Sequence, residues 1–350
     1  MTKRILALIM AMLLCLGLFA GCGSQEEAPA ATEAPKADAP AAEAPAAPEA
    51  PAEDDYVLQI MSSPALCSAP LFIAIENGYL EECGVNYEYF NSDSNQWDLM
   101  AADKCDIAYG LLPTFIQRIA NGFEMYVVAG AHYGCINVVA TDASGIESIT
   151  DLKGRTVGIP GSMGSDPAIL LQRMLVAYGM ELHECNLQVF NNADLATALQ
   201  EGHIEAFVSW DPYATVVSQY EGNHLIFDQA KDEMTKDEYC CVFGLRAGFV
   251  DEHPELAKKY VEAVSMACDF IAENPEEAAK ICYEKGYIAD ADYVFNGTLL
   301  DSYRYEAKFA PAKESFARVT QDLMDLEIIS INKTAEELTN EVFINVGEIE

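Results

Sequence analysis

From Tyr56 onward the chain switches repeatedly between short apolar runs and helix-patterned runs, and that alternation confines it to open α/β sheets. Tyr56–Ser62 reads as a strand, and Pro70–Asn77 as a helix stopped by Gly78, the residue type usual just past a helix end. Val85–Phe90 alternates as a strand, Trp97–Asp103 follows as a helix, and Asp106–Tyr109 is a short strand. A further helix ends at Gly122, and Met125–Ala131 and Ile136–Thr141 are strands. Strands separated by helices predict mainly parallel pairing.

A second unit opens at Asp151. Its strand Thr156–Pro160 runs into the loop Gly161-Ser162-Met163-Gly164-Ser165 and a helix over Pro167–Tyr178, with Asp166 placed to cap it and Gly179 to end it. Leu187–Phe190, a helix over Asp194–Glu201, and Ile204–Trp210 complete a compact α/β lobe. Tyr239–Leu245 reads as a strand returning to the first lobe, and beyond Pro254 the pattern is helical. A chain that crosses twice between two lobes leaves a cleft, and clefts at the carboxyl ends of strands bind small ligands.

The first 55 residues cannot belong to that core. Lys3 and Arg4 precede an apolar run from Ile5 to Phe19, then Ala20, Gly21 and Cys22, the pattern of an export signal rather than a spanning helix. Gly23–Asp55 is almost entirely Ala, Pro and acidic residues, with Lys36 against nine carboxylates, too polar to fold. Its 33 residues reach about 100 Å at roughly 3.1 Å each, which makes it a tether. The formal charge of −36 excludes partners held by neutralising phosphates, so neither nucleic acid nor an anionic lipid surface is expected.

Of eleven cysteines, Cys15 leaves with the signal and Cys22 stands at the cleavage point, so nine remain, an odd number that cannot all pair. No Cys-x-x-Cys occurs and the five histidines do not sit at zinc-ligand spacings, so no metal and no cofactor is expected. The cysteines are read as mostly buried thiols, with one or two disulfides as the alternative.

Several segments resemble one family. Phe19-Ala-Gly-Cys22 is similar to a bacterial lipobox, with Phe where Leu is usual, which implies lipidation of Cys22. Ala69-Pro-Leu-Phe-Ile-Ala-Ile-Glu-Asn-Gly-Tyr-Leu, Asp106-Ile-Ala-Tyr-Gly, Asp151-Leu-Lys-Gly-Arg-Thr-Val-Gly-Ile-Pro-Gly-Ser and Trp210-Asp-Pro-Tyr together resemble the solute-binding proteins of bacterial ABC importers. The resemblance is to the nitrate, sulfonate and taurine group, which also holds thiamine-precursor binders, and covers roughly Tyr56–Pro311. It implies a two-lobed periplasmic-binding-protein fold of type II, with residues 1–22 as signal, 23–55 as tether, 56–140 as the first part of lobe 1, 141–238 as lobe 2, and 239–350 as the return to lobe 1 with C-terminal helices. It also implies a monomer outside the cytoplasm, held to the membrane by its lipid only, whose partners are a small-molecule ligand and an ABC permease with its ATPase.

Candidate contacts follow from strand and helix ends. Ser162, Gly164 and Ser165 place backbone N–H groups and hydroxyls at a helix start, suited to a negative group, and in the resembled family this loop touches ligand. A tight strand-to-helix turn would use the same residues. Trp210 and Asp211 end an apolar strand, where a ring could cover a flat ligand and the carboxylate accept from an amine; equally, Trp210 could pack in the core and Asp211 start the next helix. The first lobe adds Cys67, Ser68, Asn95, Tyr109, His132 and Tyr133, with a structural role for His132 as the alternative.

The expected ligand is a small organic anion such as a sulfonate or taurine-like compound, held by the loop; a pyrimidine or thiamine-precursor heterocycle, which the aromatic residues would suit, is the alternative. Cys240-Cys241-Val-Phe-Gly faintly resembles a Cys-rich stretch of fungal pyrimidine synthases on the same fold, but it has two cysteines rather than four, and no Lys or His lies in Ser62–Leu71. No nucleophile–base triad, Walker loop or His-Glu-x-x-His is present, so binding rather than catalysis is expected, with a surface receptor as a third class.

Overall fold

The computed structural model describes residues 55–62, 65–90, 92, 95–288, 292–347 and 349; the export signal, Cys22 and nearly all of the tether lie outside them. The chain runs β1 (Leu58–Ile60), α1 (Ala69–Glu76), α2 (Tyr79–Glu82), β2 (Tyr87–Tyr89), α3 (Gln96–Ala101), β3 (Ile107–Leu111), α4 (Leu112–Ala120) and β4 (Met125–Tyr133). It continues through β5 (Ile136–Thr141), β6 (Thr156–Pro160), α5 (Asp166–Ala177), β7 (Asn186–Phe190), α6 (Leu195–Gln200), β8 (Ala206–Trp210), α7 (Tyr213–Ser218) and β9 (Asn223–Asp228). Then come β10 (Tyr239–Arg246), α8 (Ala247–Glu252), α9 (Pro254–Glu273), α10 (Pro275–Glu284), α11 (Tyr293–Ser302), α12 (Ala310–Asp325) and α13 (Ala335–Val342).

The strands form a β1-β2 pair, a β3-β10-β4 sheet and a five-stranded sheet of order β7-β6-β8-β5-β9. The expectation of mainly parallel strands needs correcting. β1-β2, β6-β7 and β6-β8 are parallel, but β10 is antiparallel to both β3 and β4, and β5 is antiparallel to both β8 and β9. The physical reason is the same in each lobe. A helix crossover keeps β3 and β4 parallel to each other, and likewise β8 and β9; the strand that has just crossed from the opposite lobe then inserts between them in reverse. Ile136–Thr141, read from sequence with the first lobe, is therefore hydrogen-bonded into the second sheet, and the chain crosses at Gly134-Cys135 rather than near residue 140.

Burial follows the apolar pattern. Helix α1 buries Ala69 through Ala74 all round because α9 and α10 cover it, whereas α4 buries only Leu112, Pro113, Phe115, Ile116 and Ile119 along one face. The buried Phe115, Phe243 and Phe249 contribute about 1.5–3 kcal/mol each by leaving water. A smaller cluster of Val139, Leu195, Leu199, Ile204 and Phe207 fills one side of the five-stranded sheet. Gly130 is required where it stands: a Cβ there would lie 2.2 Å from the Tyr239 ring, which crosses β4 on its way to the Glu306 carbonyl.

Two charged networks pin the chain. Buried Asp106 accepts from the Gln59 amide at 2.9 Å, from Tyr56 Oη at 3.0 Å and from Arg246 Nη2 at 2.8 Å, which ties β1 to β3 and β10. Arg173 of α5 donates to both oxygens of Glu238 at 2.7 Å and from Nε to Asp322 of α12 at 2.8 Å, and Arg318 adds a bond to Glu238 at 2.9 Å. This second network joins the second lobe, the returning strand and the C-terminal helices at one point.

Candidate functional site

A cavity of about 290 Å³ opens at the carboxyl ends of β1 and β3, where α3, α4 and the first residue of α5 meet. Ser62, Ala65, Cys67 and Ser68 line it from the β1–α1 turn, and Asn95, Gln96 and Trp97 from the start of α3. Tyr109, Gly110 and Leu111 of β3, Thr114 of α4 and Asp166 of α5 complete the wall. Among the described residues of this lining there is no Lys, Arg or His. Tyr109 is 4% exposed, its hydroxyl donating to the Cys67 carbonyl and its ring packed edge-on to Phe243. Gln96 spends its amide on the Tyr109 backbone, donating to the carbonyl at 3.0 Å. Asn95 caps α3, accepting from the Asp98 amide at 3.0 Å.

Asp166 is the residue that sequence reasoning placed differently. The expectation was that it caps its own helix; instead Ser165 is the residue before the helix and Asp166 is inside its first turn. Its carboxylate reaches across the cleft and accepts from the Thr114 amide at 2.9 Å and from the Thr114 hydroxyl at 2.9 and 2.8 Å. Helix α4 begins at Leu111-Leu112-Pro113 with no capping side chain of its own, so the opposite lobe supplies one. Burial pushes the Asp166 carboxyl up to about 7, against the lowering effect of the Thr114 hydrogen bonds.

Of the sequence-selected residues, Cys67, Ser68, Asn95 and Tyr109 line this cavity together. Ser162 and Gly164 lie in an exposed loop and Ser165 is half-buried. The Ser162 amide donates to Pro160 and the Ser165 amide to Ser162, and the Gly164 carbonyl accepts from Gln117 of α4 at 3.4 Å. The loop thus serves a tight turn and touches the first lobe. Asp211 is engaged by partners within the protein: it accepts from the Thr215 amide and hydroxyl at 3.0 and 2.7 Å, from Asn137 at 2.8 Å and from Tyr303 at 3.0 Å. Burial raises its pKa, and those four donors oppose the rise. Trp210 is half-buried against the core in register with Ile136. Tyr133 packs on Tyr239 and beneath the Arg304 guanidinium, 3.6 Å from its ring centre.

His132 and the cysteines form a second constellation that the spacings did not reveal. The described cysteines are all free; Cys67 and Cys83 are half-buried and the other seven buried. Four of them converge behind the cavity. Cys135 Sγ and Cys240 Sγ are 3.2 Å apart, and the ligand atoms of Cys135, Cys240 and Cys241 lie within 4.8 Å of one another, as do those of Cys67, His132 and Cys241. Cys240 and Cys241 are adjacent in sequence and His132 and Cys135 are three residues apart, but only the insertion of β10 beside β4 brings the two pairs together. His132 is fully buried against Tyr303 and Tyr305, and its Nε2 has no hydrogen-bond partner among the described residues.

A larger cavity of about 460 Å³ lies over the Arg173 network. Its central charges, Arg173, Glu238, Arg318 and Asp322, are paired with one another.

Comparison with known proteins agrees with this architecture. The aliphatic sulfonate binding protein SsuA of Escherichia coli superposes with a TM-score of 0.69 at 16% identity, covering 82% of this chain and 97% of that one, so the fold is the two-lobed α/β fold of periplasmic binding proteins. A putative aliphatic sulfonates-binding protein of Bacillus subtilis is 23% identical over 61% of this chain and 65% of its own length. A formylaminopyrimidine-binding protein of Halalkalibacterium halodurans is 24% identical over 60% and 64%. The 4-amino-5-hydroxymethyl-2-methylpyrimidine phosphate synthase of Saccharomyces cerevisiae is 23% identical over 60% and 65%. The chain thus spans about 65% of the length of the curated relatives it matches. The NMT1/THI5 like family model matches residues 67–278, more than half of the chain, and the protein belongs to that family.

Proposed function

We propose that this protein is an extracytoplasmic solute-binding lipoprotein of an ABC importer, lipidated at Cys22 and monomeric, and that its ligand is a small nitrogen heterocycle of the pyrimidine type. The observation that carries the ligand class is the cavity wall: Trp97 and Tyr109 offer ring surface, Ser68 and Asn95 short-range polar groups, and Asp166 a carboxyl at the lobe contact, with no basic side chain among the described residues. A carboxyl group recognises an exocyclic amine or a ring N–H, and apolar rings cover a flat ligand. A sulfonate would meet no basic side chain in this cavity, and the Ser162 and Ser165 amides are spent within their own turn. The relative that binds formylaminopyrimidine supports the heterocycle; those named for sulfonates support the competing ligand.

Binding rather than catalysis is our reading of the site, and contacts from both lobes make the mechanism a shift of population. A ligand held by Tyr109 on one side and Asp166 on the other gains more in the closed form than in an open one, and the closed form then docks on the permease.

The test is a thermal-shift series on the full-length chain with hydroxymethylpyrimidines, formylaminopyrimidine, thiamine, taurine, alkanesulfonates and nitrate. A pyrimidine well above its dissociation constant should add on the order of 3 kcal/mol of stability. Asp166→Asn should weaken that binding at least tenfold, since a charge-assisted hydrogen bond contributes about 1.5–3 kcal/mol. A shift with sulfonates alone would overturn the heterocycle reading, and no shift with any compound would favour a receptor.

A further inference from the structure

We propose that Cys241, with further donors drawn from Cys67, His132, Cys135 and Cys240, forms a largely buried four-coordinate site for one thiophilic d10 metal ion, Zn(II) or Cu(I), set between the two segments by which the chain crosses from lobe to lobe. Three observations meet here. The ligand atoms fall in two trios, each within 4.8 Å, that share Cys241, against an edge of about 3.8 Å expected for tetrahedral thiolate ligation with 2.3 Å bonds. His132 is fully buried and holds an Nε2 without a hydrogen-bond partner of ordinary geometry among the described residues, while its Nδ1 faces the Tyr133 carbonyl at 3.4 Å. That is the arrangement of a metal-ligating imidazole: one nitrogen oriented by a backbone carbonyl, the other presented to the ion.

The donor set selects the metal class. Sulfur with one imidazole suits Zn(II) and Cu(I) and disfavours Mg(II), Ca(II) and Mn(II), which take oxygen. On binding, each ligating thiol releases its proton to solvent, and the ion's positive charge offsets part of the thiolate charge that this creates.

The position gives the site a role. Cys135 follows Gly134 where the chain first crosses, and its backbone stands at φ 133°, in the left-handed half where a non-glycine residue is uncommon. Cys240 and Cys241 sit at the register shift of β10 just after the second crossing. Cys67 also lines the cavity, so one ion would tie both crossings to the floor of the cleft.

The proposal is independent of the ligand reading and is tested with the metals alone. The reduced full-length chain, held without oxygen, is titrated separately with Zn(II) and Cu(I) against a chromophoric chelator. One tightly held equivalent of at least one ion is expected, with an X-ray absorption first shell dominated by sulfur and containing one imidazole. Cys241→Ser, which removes the ligand shared by both trios, should weaken retention at least tenfold, and Cys282→Ser, in α10, should leave it unchanged. The absorption shell is read on the unmutated chain, so it decides the matter even if a cysteine variant fails to fold. Failure of the reduced chain to hold either ion, or a first shell without sulfur, would overturn the proposal. So would a Cys135–Cys240 disulfide found by non-reducing peptide mapping of protein isolated without reductant.

Discussion

Glu238→Ala should lower the stability of the folded chain by about 3–5 kcal/mol, the largest single effect expected of any charged residue here. Glu238 is 2% exposed and neutralises Arg173, itself 6% exposed, through two parallel bonds of 2.7 Å. Removing the carboxylate leaves a guanidinium buried with only Asp322 to answer it, and Asp322 is partly in water. Arg318→Ala should cost far less, near the 0–1 kcal/mol of an exposed pair, because half of that side chain is solvated. Urea unfolding with matched slopes measures both. A loss below about 1 kcal/mol for Glu238→Ala would mean that water reaches Arg173 through the cavity beside it. Replacing Arg173 and Glu238 together by methionine should recover much of the loss, since the pair's desolvation cost disappears with its attraction.

The second large effect is one of pH. Burial lifts the Asp166 carboxyl to about 7 in the folded chain, while an unfolded aspartate titrates near 3.9. Between those values the folded state holds a proton that the unfolded state has lost, so stability falls as pH rises from about 4 to about 7 and is level above that. At about 1.4 kcal/mol per unit of separation, the fall attributable to this group is on the order of 4 kcal/mol. The comparison of unmodified chain with Asp166→Asn isolates it from the other carboxylates: the difference between their stability curves should slope through this window and flatten above pH 7. Parallel curves would mean that the Thr114 bonds keep the carboxylate ionised throughout.

The same residue shows where sequence reasoning reached its limit. Glycine stops and apolar alternation located most strands and helices, because those signals are local: Gly78, Gly122 and Gly179 all have positive φ where runs end. Cys67, Ser68 and Asn95 are legible as cavity-lining candidates for a similar reason, since they stand in the turn or cap that starts a helix, and Tyr109 because it lies on a short strand leading into the cleft. Trp97 was legible only as part of a helix, because an apolar residue on the first turn fits a core and a pocket wall equally well. Asp166 was assigned to its neighbours in sequence, when its partner Thr114 belongs to the other lobe. Of the thiol cluster only the adjacent pair Cys240-Cys241 is visible locally; its approach to Cys67, His132 and Cys135 is not. It depends on which strand β10 inserts beside, and reverse insertion between parallel strands is a property of the whole path.

That borrowed cap makes helix α4 a built-in reporter. The Thr114 amide donates to the opposite lobe, so each separation of the lobes must hand it to water. Its hydrogen-exchange rate therefore counts openings directly, one amide for one hinge event, without a dye, a label or a transporter. A bound solute that keeps the lobes together would slow that single amide far more than the amides deeper in the same helix.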